Sequence, residues 1–313
     1  MEQLRIDNSK RSAFVECPRK YYWKFIANLT GEYGSTALRY GRVWHLMLHA
    51  FYDTLQKQGW QARQQAITNG LIQGKKEWDL ISSQQIFFED FRTFENLCEL
   101  LMIYVNTYEA DELSVQIIHT EKVFALQLEL DEVEKLLYPN LPEIIFTGKI
   151  DLQLELSGIK WVLDHKTTGN SIDRVSGTLK RDPQFLGYTY ASRRVLDFVP
   201  MGFLVNMVMS SSRKNKDGVY GKLTTDFRRV PQLYSEGDLE SWRRSFIHTC
   251  SQMNWCEKNN TWPMGHDNCY NYNKDCTFTR LCEQNRNVID TNTEGFLEIP
   301  WDVEKEGGLN YDE

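Results

Sequence analysis

Apolar positions recur at helical spacing through the first third of the chain and at strand spacing through the middle. Residues Ser12–Ile26 carry Phe14, Tyr21, Tyr22 and Phe25 at helical spacing, which predicts a first helix running through Cys17–Pro18. Thr36–Gln58 repeats the pattern through Leu38, Val43, Leu46, Met47, Ala50, Phe51 and Leu55, and Gly59 marks its end. Further helices are predicted near Gln61–Trp78 and Asp90–Glu109. The period then shortens. Val115–Leu130 alternates as a strand, and Ile144–Leu156 and Ile159–Asp164 flank Ser157–Gly158, a hairpin turn signal. A helix over Pro183–Leu196 follows, then strands near Met201–Met209 and Leu223–Val230, joined by the polar loop Ser210–Gly221. Glu236–Lys258 is a helix with Trp242 and Trp255 near its ends; Asn259–Arg286 has no clear period, and the acidic tail after Asn287 is read as irregular. Helices followed by strands interleaved with helices predict an α/β fold with a mixed central sheet, an N-terminal helical region and a Cys-rich C-terminal segment. The expected organisation is one domain over 1–313, with a helical insertion over 55–112 and the Cys-rich segment over 259–286.

Hydrophobic residues make up 41% of the 313 and charged residues 25%, an ordinary globular balance. The longest apolar stretch, Phe198–Met209, is broken by Pro200, Gly202 and Asn206 and is too short to span a bilayer. Met1–Lys10 has no apolar core of a secretory signal, so a cytoplasmic location with no membrane partner is expected. The net charge of −7 argues against coating nucleic acid through bulk electrostatics, yet leaves room for local basic patches. Arg19/Lys20, Arg193/Arg194, Arg228/Arg229 and Arg243/Arg244 are the candidates.

The chemistry concentrates in Gly148–Lys166. The hairpin places Asp151 on one strand and Asp164 with Lys166 near the end of the next, where residues two apart share a face. Two carboxylates and an ammonium would meet at the rim of a buried sheet, led in by Trp161, Val162 and Leu163. Burying such charge is costly unless it is compensated. Mg²⁺ or Mn²⁺ would compensate it, since a hard cation takes one or two carboxylates together with substrate phosphate and water. The alternative is a surface hairpin with an Asp–Lys ion pair.

The order Gly-x-Ile-Asp151, Asp164-x-Lys166 and Gln184-x-x-x-Tyr188 resembles the RecB-like branch of the PD-(D/E)XK nucleases. Cys17-Pro-Arg-Lys-Tyr-Tyr and Gly41-x-x-x-His45 match that branch too, so the resemblance covers about Ser12–Cys282. It implies a restriction-endonuclease-like core and DNA hydrolysis, with Asp151, Asp164, Lys166, Gln184 and Tyr188 in catalysis. It further implies metal bound by His45, Asp151, Asp164 and the main-chain carbonyl of His165. Glu121 is a candidate supporting acid. Gly-Lys-Ile-Asp stands where the nominal motif has Pro-Asp.

Seven cysteines, an odd number, with five crowded after residue 249, suggest metal ligation rather than disulfides. One early cysteine and three late ones resemble the 4Fe–4S set of AddB-type nucleases and CRISPR-associated RecB-like exonucleases. The resemblance implies Cys17, Cys269, Cys276 and Cys282 as ligands, with 259–286 closing onto Cys17. The six-residue gap between Cys269 and Cys276 departs from the two-residue gap of many relatives. Zinc is the alternative, with His266 as a spare ligand. Cys98, Cys250 and Cys256 are read as buried hydrophobes.

The expectation is therefore an exonuclease acting on single strands or DNA ends, in repair, recombination or related DNA processing. No phosphate-binding Gly-x-x-x-x-Gly-Lys-Ser/Thr motif is present, so unwinding would need a helicase or another recombination or CRISPR-adaptation partner. A catalytically silent DNA-end-binding or adaptor protein of the same fold is the competing reading.

Overall fold

The computed structural model describes residues 3–88, 90–196, 198–271, 274–284 and 293–302. In chain order the elements begin with β1 (Gln3–Ile6), α1 (Asn8–Glu16), α2 (Pro18–Tyr21), a π turn over Tyr22–Ile26 and β2 (Leu29–Gly31). The helices α3 (Thr36–Gln58), α4 (Arg63–Gln84) and α5 (Phe94–Thr107) follow, then β3 (Val115–Leu128) and α6 (Glu132–Leu137). Next come β4 (Glu143–Leu156), β5 (Ile159–Thr168), α7 (Ile172–Leu179), α8 (Pro183–Val195), β6 (Gly202–Ser211) and β7 (Thr224–Gln232). The chain continues with α9 (Glu236–Lys258), β8 (Tyr270–Asn271), β9 (Lys274–Asp275), α10 (Thr279–Gln284) and β10 (Phe296–Glu298). Among the described residues no helix is long and apolar enough to cross a membrane.

The chain forms two compact units. One comprises Tyr33–Lys122 and Ile150–Glu236. Its strands form a mixed sheet: β4 and β5 are antiparallel, β5 and β6 parallel, and β6 and β7 antiparallel. The β4–β5 turn uses Ser157 and Gly158 at φ 52° and 81°, left-handed values suited to a tight hairpin. Helix α3 is the spine of this unit. Ser35 caps it through Leu38 N–H, and Gly59 at φ 77° stops it. Its buried stripe is Tyr40, Val43, Trp44, Met47, Leu48, Phe51 and Leu55. That corrects the expected stripe: Leu38 is 75% exposed and Leu46 only partly buried. The face is rotated because Trp44 and Leu48 fill the core instead. Helix α4 packs against α3 through Gly70 and Gly74, where a Cβ would meet Met47 O at 2.9 Å and Met47 Cγ at 2.4 Å.

The other unit comprises Met1–Glu32, Val123–Lys149 and Gly237–Glu313. Here β1 runs parallel to the first residues of β4, Gln3 opposite Glu143 through Ile6 opposite Phe146. The single helix expected over Ser12–Ile26 is broken. Cys17 is extended at φ −166°, ψ 115°, because a residue preceding proline is driven out of the helical region. The tail expected to be irregular contains β10, which pairs antiparallel with β2; residues 285–292 and 303–313 lie outside the described set. Helix α9 is fixed by Arg243, which grips Glu134 of α6 with two 2.9 Å hydrogen bonds and donates to Glu129 O. Cys250 and Cys256 are buried as expected, whereas Cys98, in the first unit, is only partly so.

Candidate active site

Asp151, Asp164 and Lys166 are brought together by the β4–β5 hairpin, and α3 and α8 add His45 and Gln184. Strand pairing sets the depth: Leu152 lies opposite Leu163, so Asp151 and Asp164 are the next residues toward the open end of the hairpin. Asp151 Oδ2 accepts the main-chain N–H of His165 at 2.9 Å and lies 3.2 Å from His45 Nδ1. Asp164 Oδ1 accepts from Gln184 Nε2 at 3.0 Å, and its Oδ2 lies 2.9 Å from Lys166 Nζ. Lys166 in turn donates to Gln184 Oε1 at 3.0 Å. The Gln184 amide thus bridges the pair, its NH₂ toward the acid and its carbonyl toward the ammonium. Asp182 starts α8 by accepting Gln184 N–H at 2.8 Å, and Pro183 takes the first helical position, so Gln184 sits on a fixed first turn. Tyr188 is one turn further along α8 and is buried, as is Tyr190.

Both carboxylates are almost fully buried, at 7% and 2% exposure, while Lys166 keeps 34% of its side chain in solvent. Burial pushes Asp151 up, but the charge and hydrogen bond of His45 and the His165 backbone N–H hold it well below the ordinary carboxylate range. Burial dominates at Asp164 and raises it to about 6 against the lowering effect of Lys166. Burial would depress Lys166, yet the neighbouring Asp164 charge keeps its ammonium raised above the ordinary value. Burial lowers His165 to about 3, so its ring is neutral.

These residues fit a hard divalent cation. Asp164 Oδ2 is buried and, despite its proximity to Lys166, makes no hydrogen bond of good geometry. A carboxyl raised by burial is the kind a cation returns to its ionised form. Among the described residues no three His, Cys, Asp or Glu side chains converge on one metal position. Magnesium-type sites do not need three, since one or two carboxylates with water and phosphate suffice.

A second layer was not anticipated from sequence. Asn206 Nδ2 donates to Tyr104 Oη at 2.9 Å and lies 2.7 Å from His165 Nδ1. Tyr104 shares a 2.6 Å hydrogen bond with Tyr52, whose ring stacks on His165 at 5.8 Å and 15°. Arg229 closes the chain, paired with Asp111 and 3.5 Å from Tyr52 Oη. The only sequence signal was Asn206 interrupting an otherwise apolar strand. Glu121 lies within β3 at φ 48°.

The basic pairs read as candidate patches each have acidic or carbonyl partners nearby, while Arg228 and Arg244 stay exposed. Arg243 and Arg244 bind Glu240, Arg193 and Arg194 bind Glu236, and Arg228 binds Asp173 and Asp226. Arg229 binds Asp111, Lys20 binds Glu16, and Arg19 donates to Trp262 O.

In the other unit Cys17, Cys269, Cys276 and Cys282 line one small cavity together with Gly265. Gly265 N–H donates to Cys17 Sγ at 3.2 Å, and a Cβ there would stand 2.7 Å from Glu16 O. Cys276 and Cys282 also border the apolar cluster of Trp23, Leu29, Phe278 and Leu281. The four thiols and a backbone donor toward sulfur suit a thiolate-held group; residues 272–273 and 285–286 of the expected 259–286 segment lie outside the described set.

Among curated proteins none matches this chain. Among solved structures, a crystal structure of a Eubacterium rectale protein, provisionally named an exonuclease, is similar over 92% of this chain and 90% of its own. Its sequence identity is 13% and its TM-score 0.47. The family description "PD-(D/E)XK nuclease superfamily" matches residues 8–283, most of the chain. The chain belongs to the PD-(D/E)XK nuclease superfamily.

Proposed function

We propose that the protein is a metal-dependent DNA nuclease whose reaction centre is Asp151, Asp164, Lys166 and Gln184. The observation that carries this is the Gln184 amide bridging a buried acid and the ammonium of the partly exposed Lys166, beside a second buried acid. Nucleases of this superfamily generally use Mg²⁺ or Mn²⁺. Asp151 and Asp164 would hold the cation, with His45 beside Asp151; the cation supplies charge stabilisation at the phosphate and a more acidic water. Lys166 is aimed by Gln184 and Asp164, and its ammonium stabilises negative charge developing on the phosphate. His165 N–H fixes the Asp151 carboxylate, and the neutral ring of His165 is clamped by Asn206 and Tyr52 behind it. Tyr188, one turn from Gln184, is assigned to substrate positioning.

Exonuclease action on single strands or ends is the finer reading, carried from the motif order. Cleavage of end-labelled single- and double-stranded DNA with Mn²⁺ tests both levels. Stepwise shortening from an end is expected; internal cuts without shortening would overturn the exonuclease assignment.

Cys17, Cys269, Cys276 and Cys282 are proposed to hold a 4Fe–4S cluster that staples the start and end of their unit. The shared cavity and the thiolate-rich lining support this; zinc on the same thiols, with His266 as a spare ligand, is the alternative. Anaerobic purification should give a brown protein with about four irons and visible thiolate-to-iron absorbance. A colourless, zinc-loaded preparation would remove the cluster from the account.

A further inference from the structure

Two segments of the nuclease unit zip together at the start of α3. Tyr33 bridges Ile86, Gly34 N–H donates to Ile86 O at 2.9 Å, and Thr36 Oγ1 donates to Phe88 O at 3.1 Å. The result puts the Tyr33 and Phe88 rings nearly parallel and offset, 7° apart with centres 5.7 Å from each other. Both are on the surface, 58% and 71% exposed. Beside Phe88 in sequence, Phe87 shares the Arg39 guanidinium with Trp78, the guanidinium lying 4.0 and 3.9 Å from the two ring centres. Phe87 packs against Gly34, where any Cβ would push its ring aside. An exposed stack this well braced does not follow from core packing.

The same segment continues toward the reaction centre. Phe91 packs on Tyr220 with ring centres 6.0 Å apart, and Arg92 lies against Gly169, three residues after Lys166. Tyr220 belongs to the β6–β7 loop, which carries Arg213, Lys214, Lys216 and Lys222 against one acid, Asp217. All four cations are exposed. The loop is structured: Asn215 Oδ1 accepts from Asp217 and Val219 N–H at 2.9 Å, and Lys214 lies over Tyr220. Because β5 and β6 are parallel, this loop leaves the sheet at the edge where the Lys166 strand ends.

We infer that Tyr33 and Phe88 form a base-stacking platform, and the Arg213–Lys222 loop a phosphate-binding rail, that together seat single-stranded DNA leading to the Lys166 site. The inference rests on the nuclease reading of that site. Stacked aromatic faces take any base, and a neighbouring cationic loop takes the backbone; this is the recognition chemistry of single strands, since duplex bases present no open faces. From Thr36, which anchors Phe88, to His45 is nine residues of helix, about 13 Å, or roughly four stacked nucleotides.

The test is fluorescence anisotropy in EDTA with the full chain and a labelled dT20, a 20-nucleotide abasic strand and a 20-base-pair blunt duplex. Tyr33→Ala/Phe88→Ala is expected to weaken dT20 binding roughly tenfold or more. Duplex binding should change less than twofold, and Phe88→Trp should retain dT20 affinity. Wild type should bind the abasic strand as weakly as the double variant binds dT20. Replacing Lys214, Lys216 and Lys222 by Ala should flatten the log–log salt slope by about two. Equal dT20 binding by wild type and the double variant, or equal binding of dT20 and abasic strand, overturns the platform. Loss of the nuclease reading shows separately, as cleavage unaffected by Lys166→Ala, because the binding assay needs no catalysis.

Discussion

Replacing Gln184 by leucine isolates the contact on which the reaction centre depends. The leucine keeps most of the volume but removes the 3.0 Å hydrogen bond to Asp164 Oδ1 and the one received from Lys166 Nζ. Hydrogen bonds to charged groups contribute about 1.5–3 kcal/mol each. The Lys166–Asp164 pair at 2.9 Å survives, so the ammonium stays charged but loses its aim. If one such bond is lost in the transition state, at about 1.4 kcal/mol per decade, the rate falls about ten- to a hundredfold. KM should change little, because Gln184 acts on the lysine rather than on substrate binding. The assay is initial rate against DNA concentration in Mn²⁺, with thermal unfolding measured in parallel to show that the variant is folded. Gln184→Glu, which can still accept from Lys166 but cannot donate to Asp164, should fall between the two. A folded Gln184→Leu protein with kcat within twofold of wild type would refute the positioning argument.

Removing Arg243 with an Arg243→Ala change leaves Glu134 buried without its bidentate partner and should cost about 3–5 kcal/mol in urea unfolding. Gly70→Val forces a side chain against Met47 O and should destabilise by about 1–3 kcal/mol, read as a Tm drop of several degrees. Cys17→Ser is expected to lose iron and visible absorbance on purification, whereas Cys98→Ser should keep both. Chelation should abolish cleavage, with Mg²⁺ or Mn²⁺ restoring it and Ca²⁺ failing to do so.

Legibility of the fold in the sequence followed the range of the forces involved. The bounds of helix α3 were readable because a local stop, Gly59, ends a continuous periodic run, although the face it buries was not. The β4–β5 hairpin was readable because Ser157–Gly158 names its own turn. By contrast, β1 and β10 are four and three residues long, and only their partners make them strands. The break at Cys17 overrode a helical pattern because proline acts on the residue before it. At the candidate site the motif residues came together as spacing implied. The layer of Asn206, Tyr104, Tyr52 and Arg229 was hidden, because it joins side chains from four segments with no shared period. The Tyr33–Phe88 stack was hidden for the same reason, its members lying 55 residues apart.

The central claim, that this hairpin hydrolyses DNA, is tested most directly by one comparison: cleavage of labelled DNA by wild type and Lys166→Ala in saturating Mn²⁺. Wild type should degrade the strand, and the variant, retaining the same thermal stability and DNA affinity, should be slower by at least a hundredfold. Equal cleavage by the two proteins, or none by metal-loaded wild type, would contradict the account.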